Sequence, residues 1–512
     1  MSIANRKFLC YTCVGLWLSP AVFTNNICFF GGSKPPPYIH EITEYFIGGI
    51  VMELAKTLAK KHAQLMLDAE RWIWKHPETG YKEWKTHEYL ETEFAKLGYE
   101  LTLAGDIPGF TTLIDTGREG PTIAVFGELD SVICASHPEA DPVTGAVHTC
   151  GHNCQAAALL GLAAMLKEPG ALDGMCGKIL LVAVPAEELL ELEYREELRK
   201  KGVIKYFGGK PEFMHRGLLN DVDMSFMIHQ DNGDKSISGS SGGSNGCLLK
   251  NIRFEGKAAH AGGSPHRGIN ALYAANLAMN AINALRETFQ DNSHIRVHPI
   301  ITKGGDIVNA IPDTVTMECY VRGATMEDIV MVNKKVNRAL AASAAAMGAK
   351  VHLRDIPGYY PRNYPAAAFP MLQSAMEQVT DEVSIRPTGW GTGCSDLGDM
   401  CAVMPALHPY VGGAIGTFHG ADMYITKPEV AVVQSAELQY VLLHTFLDDD
   451  AKNAKELIAG YKPDFASYEE YFAFVDSLNL DVDAVCHEDG KTTLTYANAG
   501  TDKEVATQDE PL

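Results

Sequence analysis

The chain is short of positive charge: 43 Lys+Arg stand against 64 Asp+Glu in 512 residues, a formal net charge of −21. Such a surplus of acid repels phosphate backbones and argues against nucleic acid as a partner. Past the N-terminal stretch, no run approaches the ~20 apolar residues that a membrane span needs. No internal repeat is visible, which excludes solenoids and propellers. The twelve cysteines are scattered and form no dense framework, so a reduced, cytoplasmic compartment is expected. A nucleophile elbow G-x-S-x-G is missing. So is a phosphate-cradling G-x-x-x-x-G-K-[ST] loop. The Pro-Cys-x-x-Cys of zinc deaminases is missing too, since the lone C-x-x-C, Cys10 and Cys13, lies in the N-terminal extension.

What is present is ordinary globular material: 46% hydrophobic, 21% charged and 9% aromatic residues. The length amounts to roughly three domains' worth of chain. Residues 1–37 form an extension that ends at Pro35-Pro36-Pro37. Arg6 and Lys7 precede a largely apolar stretch, Phe8 to Phe23, which resembles a signal peptide and leaves secretion as the alternative localisation. Polar interruptions and the lack of a clear cleavage site favour an unstructured extension.

The remainder predicts an α/β protein. Helices are expected over 50–74, 82–97 and 155–166. Apolar runs bounded by turns predict strands over 111–115, 122–129, 178–184 and 224–229. Strands alternating with helices imply a mainly parallel mixed sheet flanked by helices. Residues 236–246 (SISGSSGGSNG) carry no large side chain apart from Ile237 and read as a linker or hinge. Beyond it the order is strand, helix, strand, strand, helix, strand, which is that of an α+β ferredoxin-like domain. The expected division is 38–240 and 360–480 for a split catalytic domain, 247–356 for an inserted domain, a last helix within 461–480, and a mobile polar tail over 486–512.

Ligand-type residues collect at the ends of the predicted strands, where sites form in open α/β sheets. Glu128 and Asp130 close one strand, Glu187 and Glu188 another, and His229 a third. His148, Cys150 and His152 precede the 155–166 helix, and His419 lies in GTFHGAD. Thiolate, imidazole and carboxylate together suit Zn²⁺ or a neighbouring first-row metal. One of the adjacent glutamates can bind metal while the other accepts a proton from a metal-bound water.

The strings HPETGYKEWKTHEYL (75–89), GELDSV (127–132), GAVHTCGHNCQAAALLG (145–161), VPAEE (184–188), GKAAHAGGSPHRGINAL (256–272), GGDIVNAIPD (304–313), GCSDLGDM (393–400) and GTFHGADM (416–423) occur in the order of a known family. The chain resembles the amidohydrolase branch of the aminoacylase/carboxypeptidase metallopeptidase superfamily. That branch holds auxin-conjugate, hippurate and aminobenzoyl-glutamate hydrolases and related dipeptidases. The resemblance implies two divalent metal ions, Zn²⁺ first with Mn²⁺ or Co²⁺ as alternatives, bridged by Cys150 and completed by His152, Glu188, His229 and His419. It makes Glu187 the general base for a metal-bound hydroxide and the inserted domain a lid and dimerisation domain. His260 would polarise the substrate carbonyl, often across a homodimer, and Asn309 and Arg322 would hold a substrate carboxylate.

Departures from the family pattern matter. Glu128 stands where other branches have a histidine ligand, while Asp130 is kept and would orient a neighbour. The charged segment 189–213 follows PAEE in place of a glycine-rich turn and is expected near the site entrance. No firm role attaches to His148 or His408. The expected activity is hydrolysis of the amide bond of N-acyl or N-aminoacyl amino acids. The alternatives are a peptidase of short peptides and a non-catalytic binder of amino-acid conjugates.

Overall fold

The computed structural model describes residues 37–386, 389–488 and 491–495. The signal-like stretch, Cys10 and Cys13 lie outside the described residues. The chain divides into two units, Met1–Glu53 and Leu54–Leu512. The second unit holds two six-stranded sheets and the whole candidate site.

The first sheet runs Thr102–Leu103, Phe110–Asp115, Lys178–Val184, Thr122–Glu128, Met224–Met227, Ala406–Leu407. Its four last-named strands are parallel, Phe110–Asp115 runs antiparallel to them, and Thr102–Leu103 pairs antiparallel with it at the edge. Thr122–Glu128 is buried along its whole length, as a strand covered on both faces must be. The helix His152–Leu166 is equally buried, with a sequence of almost nothing but Ala and Leu beyond its first turn. This is the mainly parallel, helix-flanked sheet that the alternating pattern predicts.

The second sheet is entirely antiparallel and runs Arg296–Lys303, Thr314–Gly323, Gly246–Glu255, Lys350–Pro357, Leu480–Glu488, Lys491–Leu494. Its first four strands and the helices Ala271–Leu285 and Met326–Ala346 form the ferredoxin-like unit. The unit is inserted, because the chain returns afterwards to the first sheet at Ala406–Leu407. Thr325 and Asn270 cap the two helices by accepting from the Asp328 and Tyr273 amides.

Two expectations are corrected. Residues 480–488 and 491–494 are strands on the edge of the second sheet, where the sequence suggested a polar tail from 486. The side chains of Ala484 and Val485 supply the reason, since both are buried in the inserted domain's core. The segment 236–246 is no free linker either. Ile237–Ser240 pairs in parallel with Val383–Arg386 and antiparallel with Tyr410–Val411. Its glycines serve close approach, for a Cβ on Gly242 would stand 1.6 Å from the Gly389 carbonyl oxygen.

The last helix expected over 461–480 is Tyr468–Ser477. Among the described residues one helix, Glu429–Gly460, is long and apolar enough to cross a membrane, and 72% of its apolar window is buried inside the protein. Its regular geometry breaks at Asp448–Ala451.

Candidate functional site

The parallel strands deliver their ends to one place. Glu128 ends Thr122–Glu128, and Glu187 and Glu188 follow Lys178–Val184 by a short turn. His229 follows Met224–Met227, and Cys150 and His152 sit at the start of His152–Leu166. Gly151 allows the turn between them. Its φ is +89°, and a Cβ there would stand 2.9 Å from Cβ of Gln230. The GTFHG loop joins through the His419 amide, which donates to the Thr149 carbonyl at 2.9 Å.

Three groups of ligand atoms result, each with all its atoms within 4.8 Å of one another: Cys150–His152–His229, Cys150–Glu188–His419 and Glu128–His152–Glu187. Cys150 belongs to the first two. Its Sγ lies 3.4 Å from His229 Nε2. His419 Nε2 lies 3.0 Å from a Glu188 carboxylate oxygen. His229 turns its other nitrogen to the Gln230 carbonyl at 2.8 Å, which leaves Nε2 for the site.

His152 is oriented by Asp130, whose Oδ1 lies 3.0 Å from Nδ1. The other Asp130 oxygen accepts from the Glu188 amide at 2.8 Å, so one buried carboxylate sets both groups. His152 Nε2 is buried without a hydrogen-bond partner among the described residues, although a Glu128 oxygen stands 3.2 Å away. An orphaned imidazole nitrogen beside a thiol, a second imidazole and carboxylates fits a divalent cation of the zinc type.

The electrostatics separate the two glutamates. Burial, then Glu128 and Glu188, push the Glu187 carboxyl well above its ordinary range. Desolvation also raises the partly buried Glu188, yet the His419 imidazole beside it brings its carboxyl down to about 2. Burial and Glu188 raise the Cys150 thiol, and His152 and His229 more than offset them, leaving it at about 6. A thiolate is thus favoured at Cys150 and a carboxylate at Glu188, and a proton is favoured on Glu187.

Glu128 has both oxygens engaged. Lys210 Nζ donates to one at 2.5 Å and Gln155 Nε2 to the other at 2.7 Å. Lys210 also pairs with Asp396 and has no exposed side-chain surface. The segment 189–213 therefore does not simply line an entrance. It forms the helices Leu192–Lys200 and Gly209–His215 and sends Lys210 beneath the site. Sequence reasoning misses Lys210 because it sits among charged residues that look solvated.

The remaining expected residues lie apart from these ligand groups. His260 and Asn309 are exposed and adjacent, the Ala261 amide donating to the Asn309 carbonyl at 2.9 Å. His260 Nδ1 accepts from the amides of Gly262 and Gly263 at 3.1 and 2.9 Å. Arg322 is half-buried, with its guanidinium 5.3 Å from the Tyr320 ring centre. His148 is buried with neither ring nitrogen bonded among the described residues, and burial lowers it to about 3. His408 packs with its ring 5.8 Å from that of His229, and its Nδ1 accepts from Arg362 at 2.5 Å.

Comparison with known proteins agrees with this geometry. Residues 243–347 match the model of the peptidase dimerisation domain. The chain is 27% identical to the Xaa-Arg dipeptidase of Mus musculus, over 72% of the chain and 80% of the relative. It is 27% identical to the indole-3-acetyl-aspartic acid hydrolase of Enterobacter agglomerans, over 57% of the chain and 74% of the relative. Among solved structures, a putative aminohydrolase from methicillin-resistant Staphylococcus aureus superposes with a TM-score of 0.59 at 21% identity, covering 77% of this chain and all of that one. A Bacillus subtilis protein described as a dinuclear metal binding peptidase of the M20 family gives 0.54 at 19%, covering 76% and 99%. In sequence the chain is thus similar to amidohydrolases and dipeptidases that share a peptidase dimerisation domain, and in fold to a solved peptidase of the M20 family.

Proposed function

We propose that the protein is a metal-dependent amidohydrolase that cleaves the amide bond of N-acyl or N-aminoacyl amino acids. One observation carries the proposal: two groups of ligand atoms share Cys150, and the buried carboxyl of Glu187 stands beside them. Cys150, His152, Glu188, His229 and His419 would hold two divalent cations, Zn²⁺ first with Mn²⁺ or Co²⁺ as alternatives. Cations there would acidify a water and polarise the scissile carbonyl. Glu187 takes the proton of the attacking water and passes it to the leaving amine.

His260 presents a donor. With Nδ1 accepting from two amides, the ring proton sits on Nε2, ready for a developing oxyanion. Its exposure, and that of Asn309, suits contact with the site of a second copy, in a homodimer formed through the inserted domain. Arg322 and Asn309 would hold the substrate carboxylate. The absence of disulfides among the described cysteines supports a cytoplasmic setting. The dipeptidase reading shares this chemistry, and the extent of the match to Xaa-Arg dipeptidases favours including dipeptides among the substrates tried.

The test is Glu187→Gln assayed on N-acyl amino acids and dipeptides, with metal content measured in parallel. Turnover should fall by about 10³-fold or more with metal retained. Chelation of the wild type should abolish turnover, and Zn²⁺, Mn²⁺ or Co²⁺ should restore it. Normal turnover in Glu187→Gln would defeat the base assignment, and a wild type that neither binds nor needs metal would defeat the proposal.

A further inference from the structure

The turn carrying Glu187 and Glu188 is pinned along its backbone by side chains from distant parts of the chain. The Ala186 amide donates to Glu83 Oε1 at 2.7 Å, and the Glu188 amide to Asp130 Oδ2 at 2.8 Å. Three successive carbonyls are then engaged in order. The Tyr359 hydroxyl donates to that of Glu187, the Arg195 guanidinium to that of Glu188, and the Tyr320 hydroxyl to that of Leu189. Ala186 and Glu191 flank these positions with φ of +57° and +51°, a conformation that costs a residue with a Cβ of order 1 kcal/mol or more. Such a backbone persists only where its surroundings over-determine it, as they do here.

The three donors come from three places. Arg195 lies on the helix Leu192–Lys200 and is 1% exposed, with its other terminal nitrogen on the Phe207 carbonyl at 2.6 Å. Tyr359 follows Lys350–Pro357, the last ferredoxin-like strand, where the chain leaves the inserted domain. Tyr320 is on Thr314–Gly323 of the inserted domain, two residues before Arg322. Residues two apart on a strand share a face, so Tyr320 and Arg322 are moved together by any shift of that strand.

We propose that Arg195, Tyr320 and Tyr359 are positioning residues that aim Glu187 and Glu188, and that Tyr320 makes this aim depend on where the inserted domain stands. The inference rests on the amidohydrolase reading for the roles of the two glutamates. It assigns the 189–213 segment the work of a brace. It also gives the inserted domain a second role, because a carboxylate engaged by Arg322 steadies the strand whose Tyr320 holds the catalytic turn. Loss of either tyrosine hydroxyl leaves its carbonyl without that partner, loss of Arg195 leaves the Glu188 carbonyl to the Leu190 amide alone at 2.9 Å, and each frees the turn to move. A displacement of ~1 Å at a reacting group costs about 10²-fold in rate.

The test uses Tyr320→Phe and Tyr359→Phe, which remove one hydroxyl and keep the packed ring, together with Arg195→Lys and Arg195→Met. For each phenylalanine variant kcat per metal-loaded site should fall about 10- to 100-fold with KM within about twofold, and Arg195→Lys should recover part of what Arg195→Met loses. A purely structural role would lower Tm and leave kcat of the folded enzyme unchanged. A second arm needs no turnover: amide hydrogen exchange over 187–190 should rise at least about tenfold in Tyr320→Phe, with that of Thr122–Glu128 unchanged. Variants with kcat within twofold of wild type and unaltered exchange would overturn the proposal. A wild type inert on every conjugate defeats the amidohydrolase reading instead, and the exchange arm then decides this one.

Discussion

Two lysines with no exposed side-chain surface stand in the two sheets' domains, and their surroundings differ. Lys250, in the inserted domain, donates to Asn333 Oδ1 at 2.9 Å, to Asn337 and to Asp355. The second Asp355 oxygen accepts from the amide groups of the same two asparagines at 2.7 and 3.0 Å. One cation meets one anion there, and the network closes on itself. Lys210, beneath the candidate site, meets two carboxylates, Glu128 and Asp396. Burial and the neighbouring Glu128 raise Asp396, Lys210 opposes them, and the carboxyl is left at about 6. The balanced network fixes a domain's interior. The acid-rich one lies next to His152 and Glu187, where a cation would complete its charge.

Breaking the second network should have the larger consequence. Lys210→Met leaves Glu128 and Asp396 buried without their cation, which costs about 3–5 kcal/mol of stability. It also frees Oε1 of the Glu128 carboxylate whose other oxygen, held by Gln155, lies 3.2 Å from His152 Nε2, and so disturbs the ligand set. The expected result is a lower midpoint in urea together with loss of turnover and weakened metal retention in the folded fraction. A variant that unfolds earlier but keeps full activity per folded molecule would show Lys210 to be scaffold only.

Lys250→Met should cost a similar ~3–5 kcal/mol, since Asp355 is left unpaired in a closed interior. The site should not notice. Metal content and kcat of the folded protein are expected to match wild type, as read by elemental analysis and by assay below the unfolding range. Loss of kcat without loss of stability would erase the distinction between the two networks.

The contrast was only partly legible in the sequence. Strand ends announced themselves, because an apolar run that stops at Glu, Asp or His is easily seen, and Glu128, Glu187, Glu188 and His229 do converge. The ferredoxin-like order was equally plain from alternating strand and helix patterns. Lys210, Arg195, Tyr320 and Tyr359 were not, because their partners lie elsewhere in the fold and nothing local separates a buried Lys or Arg from a solvated one. Ser236–Gly246 looked like a hinge for want of side chains. Those glycines are small because other backbone lies against them. The edge strands Leu480–Glu488 and Lys491–Leu494 had a signal in the sequence, an Asp-Gly dipeptide of the kind that favours hairpins between two runs of strand-forming residues.

A carboxyl without such a network sharpens the comparison further, with a smaller effect. Glu437 is half-buried on the helix Ser435–Gly460, and desolvation pushes its carboxyl up to about 7, with the Lys56 ammonium opposing. Between pH ~4.5, where it ionises in the unfolded chain, and pH ~7, the folded state holds the extra proton. Stability must therefore fall as pH rises through that window and level off above it. The total is about 2 kcal/mol once partial solvent screening is allowed for. Glu437→Gln should remove this slope from urea midpoints measured between pH 5 and 8 and leave the Lys210 and Lys250 variants' differences in place. A slope unchanged in Glu437→Gln would mean that the titration belongs to another buried group, and Asp396 in the Lys210 network would be the first to examine, through Asp396→Asn.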